Sequence, residues 1–482
     1  MKFCTPEAAG ISSHDVLEFY KELEENHLST HGVILSRGDR IFSECYYAPF
    51  HKDFQHRMYS VTKSFVGIAI GFCLQDGLLE LDDPMGKFFS EYKDPHGSTI
   101  RHLLQMTTTL NGSVNWFQDR PADRVAHYFA PSPQKQPGTV FAYDSSGSFM
   151  LCAMVEKLTG KTLLDYLREK CLDVIGFSKE ASCLVCPGGY SWGDSGLLCT
   201  ARDLWLFARF ILNGGSWGGK QYLSAQYVKQ ATTPRVTNCV SGSGSMQYPN
   251  GYGYQFWCLP KGCFAALGMG NQIAFCDPTH DFICIINSCN QGNTYGYDQI
   301  FHSLYRLIDK LGDSLPEDSQ GQRELLAYAE NAKLFRLSES TESPLTDRIH
   351  GREFTCQENS TGICRFRLEF AGHEGTFIYE NAQGEKRLPF GMGHNVFGPF
   401  PQTGYADRVG SVFVPGTVYH AAVSADWPDP MTLRLRVQII DKYFGNLSIL
   451  FGFADENTVS IRMEKSAEDF LQEYSGLINA HR

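Results

Sequence analysis

The sequence predicts an α+β protein in which helices pack on a mainly antiparallel sheet, followed by a C-terminal domain rich in β-strands. From Thr5 to about Leu311, helical stretches alternate with short strand-like ones. Beyond residue 344 the hydrophobic period changes to two, as in Cys364–Phe370, where apolar side chains alternate with charged ones. Because 482 residues exceed one ordinary core, we expect two domains.

The strand-like stretches of the first part come at its two ends. His31–Ser36 and Ile41–Tyr47 read as a hairpin joined by a turn at residues 37–39. Near the other end, Phe264–Cys276 and Phe282–Asn287 read as a second pair, separated by the breaker cluster at residues 277–281. We therefore assign residues 1–311 to the first domain.

Residues 312–344 are polar and contain one short helical run, Arg323–Leu334, so we interpret them as a connecting segment. The last part, 345–482, continues with the alternating run Leu433–Ile439 and the pair Leu447–Phe453 and Thr458–Met463. These patterns are typical of an antiparallel sandwich or barrel, which we expect to act as an accessory domain.

Composition and charge narrow the function classes. A net charge of −11 without a basic block argues against nucleic acid as a partner. The longest apolar run, Phe65–Leu74, is shorter than the ~20 residues that a membrane span needs. No export signal is visible at Met1, so we expect a cytoplasmic protein with reduced thiols. Cys183 and Cys186 lack the second pair of a structural zinc site, and we predict neither metal nor cofactor.

The strongest local signal is the Ser-x-x-Lys formed by Ser60 and Lys63 at the start of an apolar run that ends at Gly77. Residues three apart share a helix face, so the Ser60 hydroxyl and the Lys63 amine can meet. Burial favours a neutral amine, which can accept the serine proton. The pattern taken alone is weak, because four-residue motifs recur by chance.

An acyl-transfer site also needs a proton shuttle and an oxyanion hole. Tyr143 lies on a loop that precedes a helical stretch from about Phe149 to Leu158. The stretch Ala266–Gln272 is rich in glycine, so its backbone can approach a substrate closely. These two segments are the candidates for the two missing parts.

The first ~310 residues resemble the serine β-lactamase and penicillin-binding-protein superfamily, in the branch of class C β-lactamases, DD-peptidases, esterases and aminohexanoate-oligomer hydrolases. The resemblance lies in the order and spacing of several blocks. These are Ser60–Phe65, Gly77–Pro84, Thr99–Thr107, Pro137–Tyr143 and Ser195–Leu204. It implies a transpeptidase-like fold, with an all-helical subdomain beside the sheet.

The resemblance also implies roles. Ser60 would attack the acyl carbonyl, Lys63 would take its proton, and Tyr143 would relay a proton to the leaving group. The oxyanion would lie between the N–H groups of Ser60 and Asn271. The substrate-binding candidates are Ser145, Gly268 and Gly270.

Two departures from the family pattern bear on the substrate. Ser145 stands where the family has the asparagine of Tyr-x-Asn, and Gly268-Met269-Gly270 lacks the cation that helps to hold a substrate carboxylate. We therefore expect weak or absent β-lactam hydrolysis and a neutral small-molecule ester or amide as substrate.

Three other readings stay open. Acyl transfer to an alcohol or amine would use the same residues, and a penicillin-binding or sensory protein would stop at the acyl-enzyme. A third reading places the nucleophile at Ser191 of Gly189–Gly193, which matches the elbow of α/β-hydrolases but lacks the expected flanking strand and helix. Whether the chain forms a homo-oligomer is not fixed by the sequence.

Overall fold

The structure is a computed structural model that describes residues 1–119, 121–238, 250–403, 418–441, 443–467, 471 and 474–482. The chain divides into two compact units, residues 1–333 and 334–482. The boundary therefore falls inside the segment that the sequence predicts to be a connection. Its helix, Ser319–Asn331, packs against the first helix of the chain as part of the first unit.

The first unit is built on a seven-stranded sheet with the order β1-β3-β2-β12-β11-β10-β9. Only the pairing of β1 with β3 is parallel among the strands described in this sheet. Two smaller sheets, β4-β6-β5 and β7-β8, complete the unit. The strands are β1 Lys2–Phe3, β2 Thr30–Arg37, β3 Arg40–Tyr46, β4 His56–Arg57, β5 Ser182–Cys183, β6 Leu197–Cys199, β7 Ser216–Trp217, β8 Lys220–Gln221, β9 Trp257–Cys258, β10 Phe264–Gly268, β11 Gln272–Asp277 and β12 Phe282–Ser288.

Helices cover both faces of this sheet. The first unit contains α1 Ser13–Glu25, α2 Thr62–Gln75, α3 Ile100–Leu104, α4 Trp116–Asp119, α5 Arg124–Phe129, α6 Ser145–Thr159, α7 Leu163–Leu167, α8 Asp173–Ile175, α9 Ala201–Leu212, α10 Ala225–Thr232, α11 Gly296–Ile308 and α12 Ser319–Asn331. Alternation along β12 explains the two layers: Ile283 and Ile285 join a core with α2, α6 and α9, while Cys284 and Ile286 join one with α1, α11 and α12. Among these helices, α2, α3, α5 and α7 all pack against α6.

The four stretches that the sequence predicts as strands all belong to this sheet, but one of the predictions is wrong in a detail. The stretch Phe264–Cys276 is not a single strand, because the turn Met269–Asn271 divides it into β10 and β11. Gly270 and Asn271 both have positive φ angles, of 77° and 66°. The glycine-rich stretch therefore reverses the chain direction here, whereas the sequence analysis expected one continuous strand.

The second unit is a closed barrel of nine strands with a tenth strand on its edge. Neighbouring strands pair antiparallel, and a short parallel pairing of β16 with β18, Gly391↔Ser424 and Met392↔Ala425, closes the ring. Its elements are α13 Thr346–Ile349, β13 Glu353–Cys356, β14 Arg365–Ala371, β15 Glu374–Asn381, β16 Gly384–Met392, β17 Val396–Thr403, β18 Val418–Asp429, β19 Thr432–Ile440, β20 Phe444–Asp455, β21 Thr458–Ser466 and β22 Gly476–His481. Of the predicted sandwich or barrel, the barrel is confirmed.

Within the described residues, every helix is too short or too polar to cross a lipid bilayer.

Candidate functional site

Ser60 and Lys63 meet at the start of α2. Ser60 lies in a 3₁₀ turn, Tyr59–Val61, that runs directly into the helix, so the expectation that both residues share one α-helix is wrong for Ser60. Their side chains still meet, because Lys63 Nζ donates to Ser60 Oγ at 2.9 Å. Tyr59 has a positive φ of 48°, a strained conformation for an aromatic residue, of the kind that clusters at functional sites.

The Lys63 amine is buried, with 1% of the residue exposed. Besides Ser60, it donates to the main-chain oxygen of Asp194 at 2.7 Å. Its Nζ also lies 5.1 Å from the centroid of the Tyr143 ring. Lys63 is therefore buried, as the apolar run around it predicts, and its amine has a polar partner in a distant loop.

Tyr143 is held by ring stacking. Its ring lies 5.5 Å from that of Trp257 at an interplanar angle of 19°. The next residue, Asp144, caps α6: its carboxylate accepts from the N–H of Gly147 at 3.0 Å. Burial raises the pKa of this Asp144 carboxyl. The cap fixes the end of the loop that presents Tyr143 to Lys63.

Two of the remaining predicted residues lie at the ends of elements: Gly268 ends β10 and Ser145 begins α6. A Cβ placed on Gly268 would lie 2.4 Å from the carbonyl oxygen of Met58, so β10 passes close to the segment before Ser60. Ser145 is the first residue of α6, where its N–H donates to Ser113 Oγ at 2.7 Å.

Two side-chain hydroxyls hydrogen-bond to the backbone at the turn after β10. Ser288 Oγ lies 2.6 Å from the carbonyl oxygen of Gly270 and 2.9 Å from that of Asn271, which share its single proton. The hydroxyl of Tyr297 donates to the carbonyl oxygen of Gly268 at 2.6 Å. These bonds fix the backbone of the turn, although the sequence points to neither Ser288 nor Tyr297.

Sequence reasoning also missed the loop between β5 and β6. Asp194 in this loop is 5% exposed, and burial raises the pKa of its carboxyl while Lys63 and Arg124 oppose that rise. Arg57, fully buried, donates to Ser195 O at 3.1 Å and to Ser195 Oγ at 2.9 Å. The signal for this loop was the family block that begins at Ser195, but the sequence interpretation assigned it no function.

Ser191 does not sit in a nucleophile elbow. The structure describes the whole stretch from Ser182 to Cys199, and no helix lies between those two residues. Ser191 forms an isolated bridge with Val185, and its N–H donates to Glu156 Oε2 at 3.2 Å. The residues that flank it therefore do not build the strand-turn-helix geometry that an elbow needs.

Comparison with known proteins places the first unit in a family. The model of the Beta-lactamase family matches residues 20–299. A curated relative, 6-aminohexanoate-dimer hydrolase of Paenarthrobacter ureafaciens, is 25% identical over 289 residues, which cover 55% of this chain and 73% of the relative. The named relatives thus include a hydrolase.

Two solved structures share the fold at low identity. A penicillin-binding protein homologue from Caulobacter crescentus is 16% identical with a TM-score of 0.51, covering 64% of this chain and 99% of that one. The structure of SurE with D-Leu is 14% identical with a TM-score of 0.50, covering 97% of this chain and 98% of that one. The family model spans more than half of the sequence, and the chain therefore belongs to the Beta-lactamase family.

Proposed function

We propose that this protein is a serine hydrolase that cleaves a neutral ester or amide through an acyl-enzyme on Ser60. The observation that carries the proposal is the hydrogen bond of 2.9 Å between Lys63 Nζ and Ser60 Oγ in a buried setting. A desolvated amine loses part of its preference for the charged form. Lys63 can then take the Ser60 proton as the Oγ attacks the acyl carbonyl carbon.

In this proposal Tyr143 passes the proton to the leaving group, and water releases the acyl group. Tyr143 is the candidate for this step because Lys63 Nζ lies over the face of its ring, 5.1 Å from the ring centre. The oxyanion would be held by the N–H of Ser60 together with an N–H from the turn that ends at Asn271. Gly268 and Gly270 would leave room there for the substrate, and Ser145 would contact it.

The substrate class follows from the charge of the turn and from the relatives. Gly268-Met269-Gly270 offers no cation for a substrate carboxylate. One curated relative is named a 6-aminohexanoate-dimer hydrolase, so its named substrate is the first amide to test. A chromogenic cephalosporin serves as the contrasting substrate, for which we expect little turnover.

The proposal is tested by labelling with a fluorophosphonate and by peptide mass spectrometry, which needs no knowledge of the natural acyl group. We expect one phosphonylated peptide, carrying Ser60, and no label in Ser60→Ala or Lys63→Met. Ser191→Ala is the matched control and should be labelled like the parent protein. Label on Ser191, or label that survives in Ser60→Ala, would contradict the assignment.

Labelled protein is then compared with unlabelled protein in the turnover of esters, the aminohexanoate dimer and the cephalosporin. Loss of turnover in proportion to labelling would tie the activity to Ser60. Adding alcohols and amines as competing acceptors separates hydrolysis from acyl transfer, because the acceptor appears in the product only in the second case. A stable acyl-enzyme without release would favour the sensory alternative.

A further inference from the structure

The carboxyl group of Asp194 is buried beside the proposed catalytic lysine with an incomplete set of hydrogen bonds. Its main-chain oxygen accepts from Lys63 Nζ at 2.7 Å. Its side-chain Oδ1 is also buried, but it accepts no hydrogen bond from any residue that the structure describes. Buried polar atoms in folded proteins nearly always find a partner, so each exception needs a reason.

Hydrogen bonds fix the backbone of the loop around Asp194 and thereby the position of its carboxyl. The N–H of Ser195 and that of Gly196 donate to the carbonyl oxygen of Trp192 at 3.1 and 2.7 Å. The N–H of Leu197 donates to Thr62 Oγ1 at 3.2 Å, which ties the loop to the first turn of α2. The backbone that carries Asp194 is thus fixed to the helix that carries Lys63.

The ionisable groups that interact with Asp194 come from several elements. They are Lys63 on α2, Arg124 on α5, Cys152 on α6, Cys183 in β5 and Cys186 in the loop. Burial raises the pKa of all three thiols, so they are neutral near pH 7. Arg124 keeps its charge, because a guanidinium does not lose its proton in proteins. Among these groups, Lys63 is the one whose charge can change during the reaction.

We propose that Asp194 is a positioning residue, whose carbonyl oxygen orients the Lys63 amine and whose carboxylate stabilises the ammonium that Lys63 becomes. The inference rests on the proposed function, in which the Ser60 O–H bond breaks and its proton moves to Lys63 Nζ. The Oγ electron pair meanwhile forms the bond to the acyl carbon. A third group that supports the base in this way is the general logic of nucleophile triads.

The electrostatic reason is the burial of both charges. Burial disfavours the charged form of an amine in general, and a nearby carboxylate offsets that effect. Without the carboxylate, the amine should lose its proton at a lower pH and should also be a weaker base. In this proposal the Asp194 carboxylate therefore interacts with the ammonium group of Lys63 and does not bind the substrate.

The test is the rate of Ser60 labelling by a fluorophosphonate as a function of pH, in the full-length protein. As Ser60 Oγ bonds to phosphorus, fluoride leaves and the serine proton passes to Lys63. In Asp194→Asn we expect the half-maximal rate at a pH lower by about one unit, the size of shift that an opposite charge can cause. The rate on the plateau should fall several-fold, because the amine is a weaker base.

Asp194→Ala is the second variant, since it removes the carboxyl and keeps the main-chain oxygen that accepts from Lys63. Asp277→Asn is the matched control: Asp277 is also a buried carboxyl, but it interacts with His280 at 2.6 Å in another part of the unit. We expect the pH profile of this control to coincide with that of the parent protein.

The outcomes separate the inference from the proposed function. If Ser60 is labelled in the parent and in folded Asp194 variants with the same pH dependence, the inference is wrong and the proposed function stands. If Ser60 is not labelled in the parent, the proposed function itself is wrong. The inference gives the carboxylate a role in the reaction and none in folding. Failure of both Asp194 variants to fold would therefore also overturn it.

Discussion

Gly193 lies where the loop that carries Asp194 presses on helix α6, and replacing it tests whether this contact positions the site. A Cβ on Gly193 would lie 2.2 Å from the Cβ of Cys152 and 2.5 Å from its Sγ. Carbon atoms in contact stay about 3.5 Å apart, so the loop or the helix must move by about 1.3 Å in Gly193→Ala. The first of these two atoms is fixed to the helix backbone and cannot rotate away.

The expected magnitude follows from that displacement. Overpacking of a buried contact costs about 1–3 kcal/mol of unfolding free energy. The same movement would stretch the hydrogen bond of 2.7 Å between Asp194 O and Lys63 Nζ beyond its normal range. Because a misplacement of about 1 Å at a reacting group can cost ~100-fold in rate, we expect Ser60 labelling to slow by that order.

The assay compares urea unfolding and labelling rates of Gly193→Ala with those of Gly312→Ala. Gly312 has no atom within 4 Å of an added Cβ, so this control should stay within ~0.5 kcal/mol of the parent. Combining Gly193→Ala with Cys152→Gly should recover part of the loss, since the clashing Cβ is gone. Parent-like stability and labelling in Gly193→Ala, or no coupling in the double variant, would refute the reasoning.

Three further changes test other parts of the first unit. His31 Nδ1 and His56 Nε2 lie 2.9 Å apart, and burial lowers the pKa of both rings, that of His56 to about 3. The unfolded chain therefore binds protons below pH ~6.5 that the folded chain excludes. The unfolding free energy from urea titration should fall by about 2 kcal/mol for His56 by pH 5, with a further loss from His31. A flat midpoint across that range would contradict the effect, and His56→Gln should reduce it. Phe65→Ala removes a fully buried ring and should cost ~3–5 kcal/mol in the same assay, whereas Phe3→Ala, 58% exposed, should cost less than ~0.5. Tyr143→Phe keeps the ring and removes the hydroxyl, so ester turnover should fall ~10²–10⁴-fold without a change in the urea midpoint; undiminished turnover would exclude the relay.

Much of the fold could be predicted because burial leaves a period in the sequence. The hairpin of β2 and β3 and the alternating strands of the barrel were visible for this reason. The break between β10 and β11 was not, because Phe264–Cys276 is apolar on both sides of the turn and both strands are buried on both faces. A continuous apolar run predicts that a segment is buried, but it does not show where the chain changes direction.

Some residues of the candidate site could likewise be predicted from the sequence, and one could not. Ser60, Lys63 and Tyr143 could be proposed from motif spacing, and the structure brings these three together. Asp194 could not, because it lies 131 positions from Lys63 along the chain and nothing in its local pattern marks a partner. Its place is set by backbone pairing: Met58 N–H donates to Leu197 O at 2.8 Å, which carries the loop to the start of α2.

This dependence on a distant loop has a physical cause in α2 itself. The helix is apolar on all sides, so it can bury the aliphatic part of the Lys63 side chain. The other residues of α2, however, offer few polar groups that could bind an ammonium. A polar partner for the amine must therefore come from outside the helix, and the loop supplies a carbonyl oxygen for direction and a carboxyl for charge. Moving that loop and neutralising its carboxyl are then separable perturbations. The first should slow labelling at every pH, as in Gly193→Ala, whereas the second should shift the pH profile, as in Asp194→Asn. If both variants changed the rate in the same pH-independent way, orientation alone would account for the loop, and the carboxyl would have no electrostatic part in the reaction.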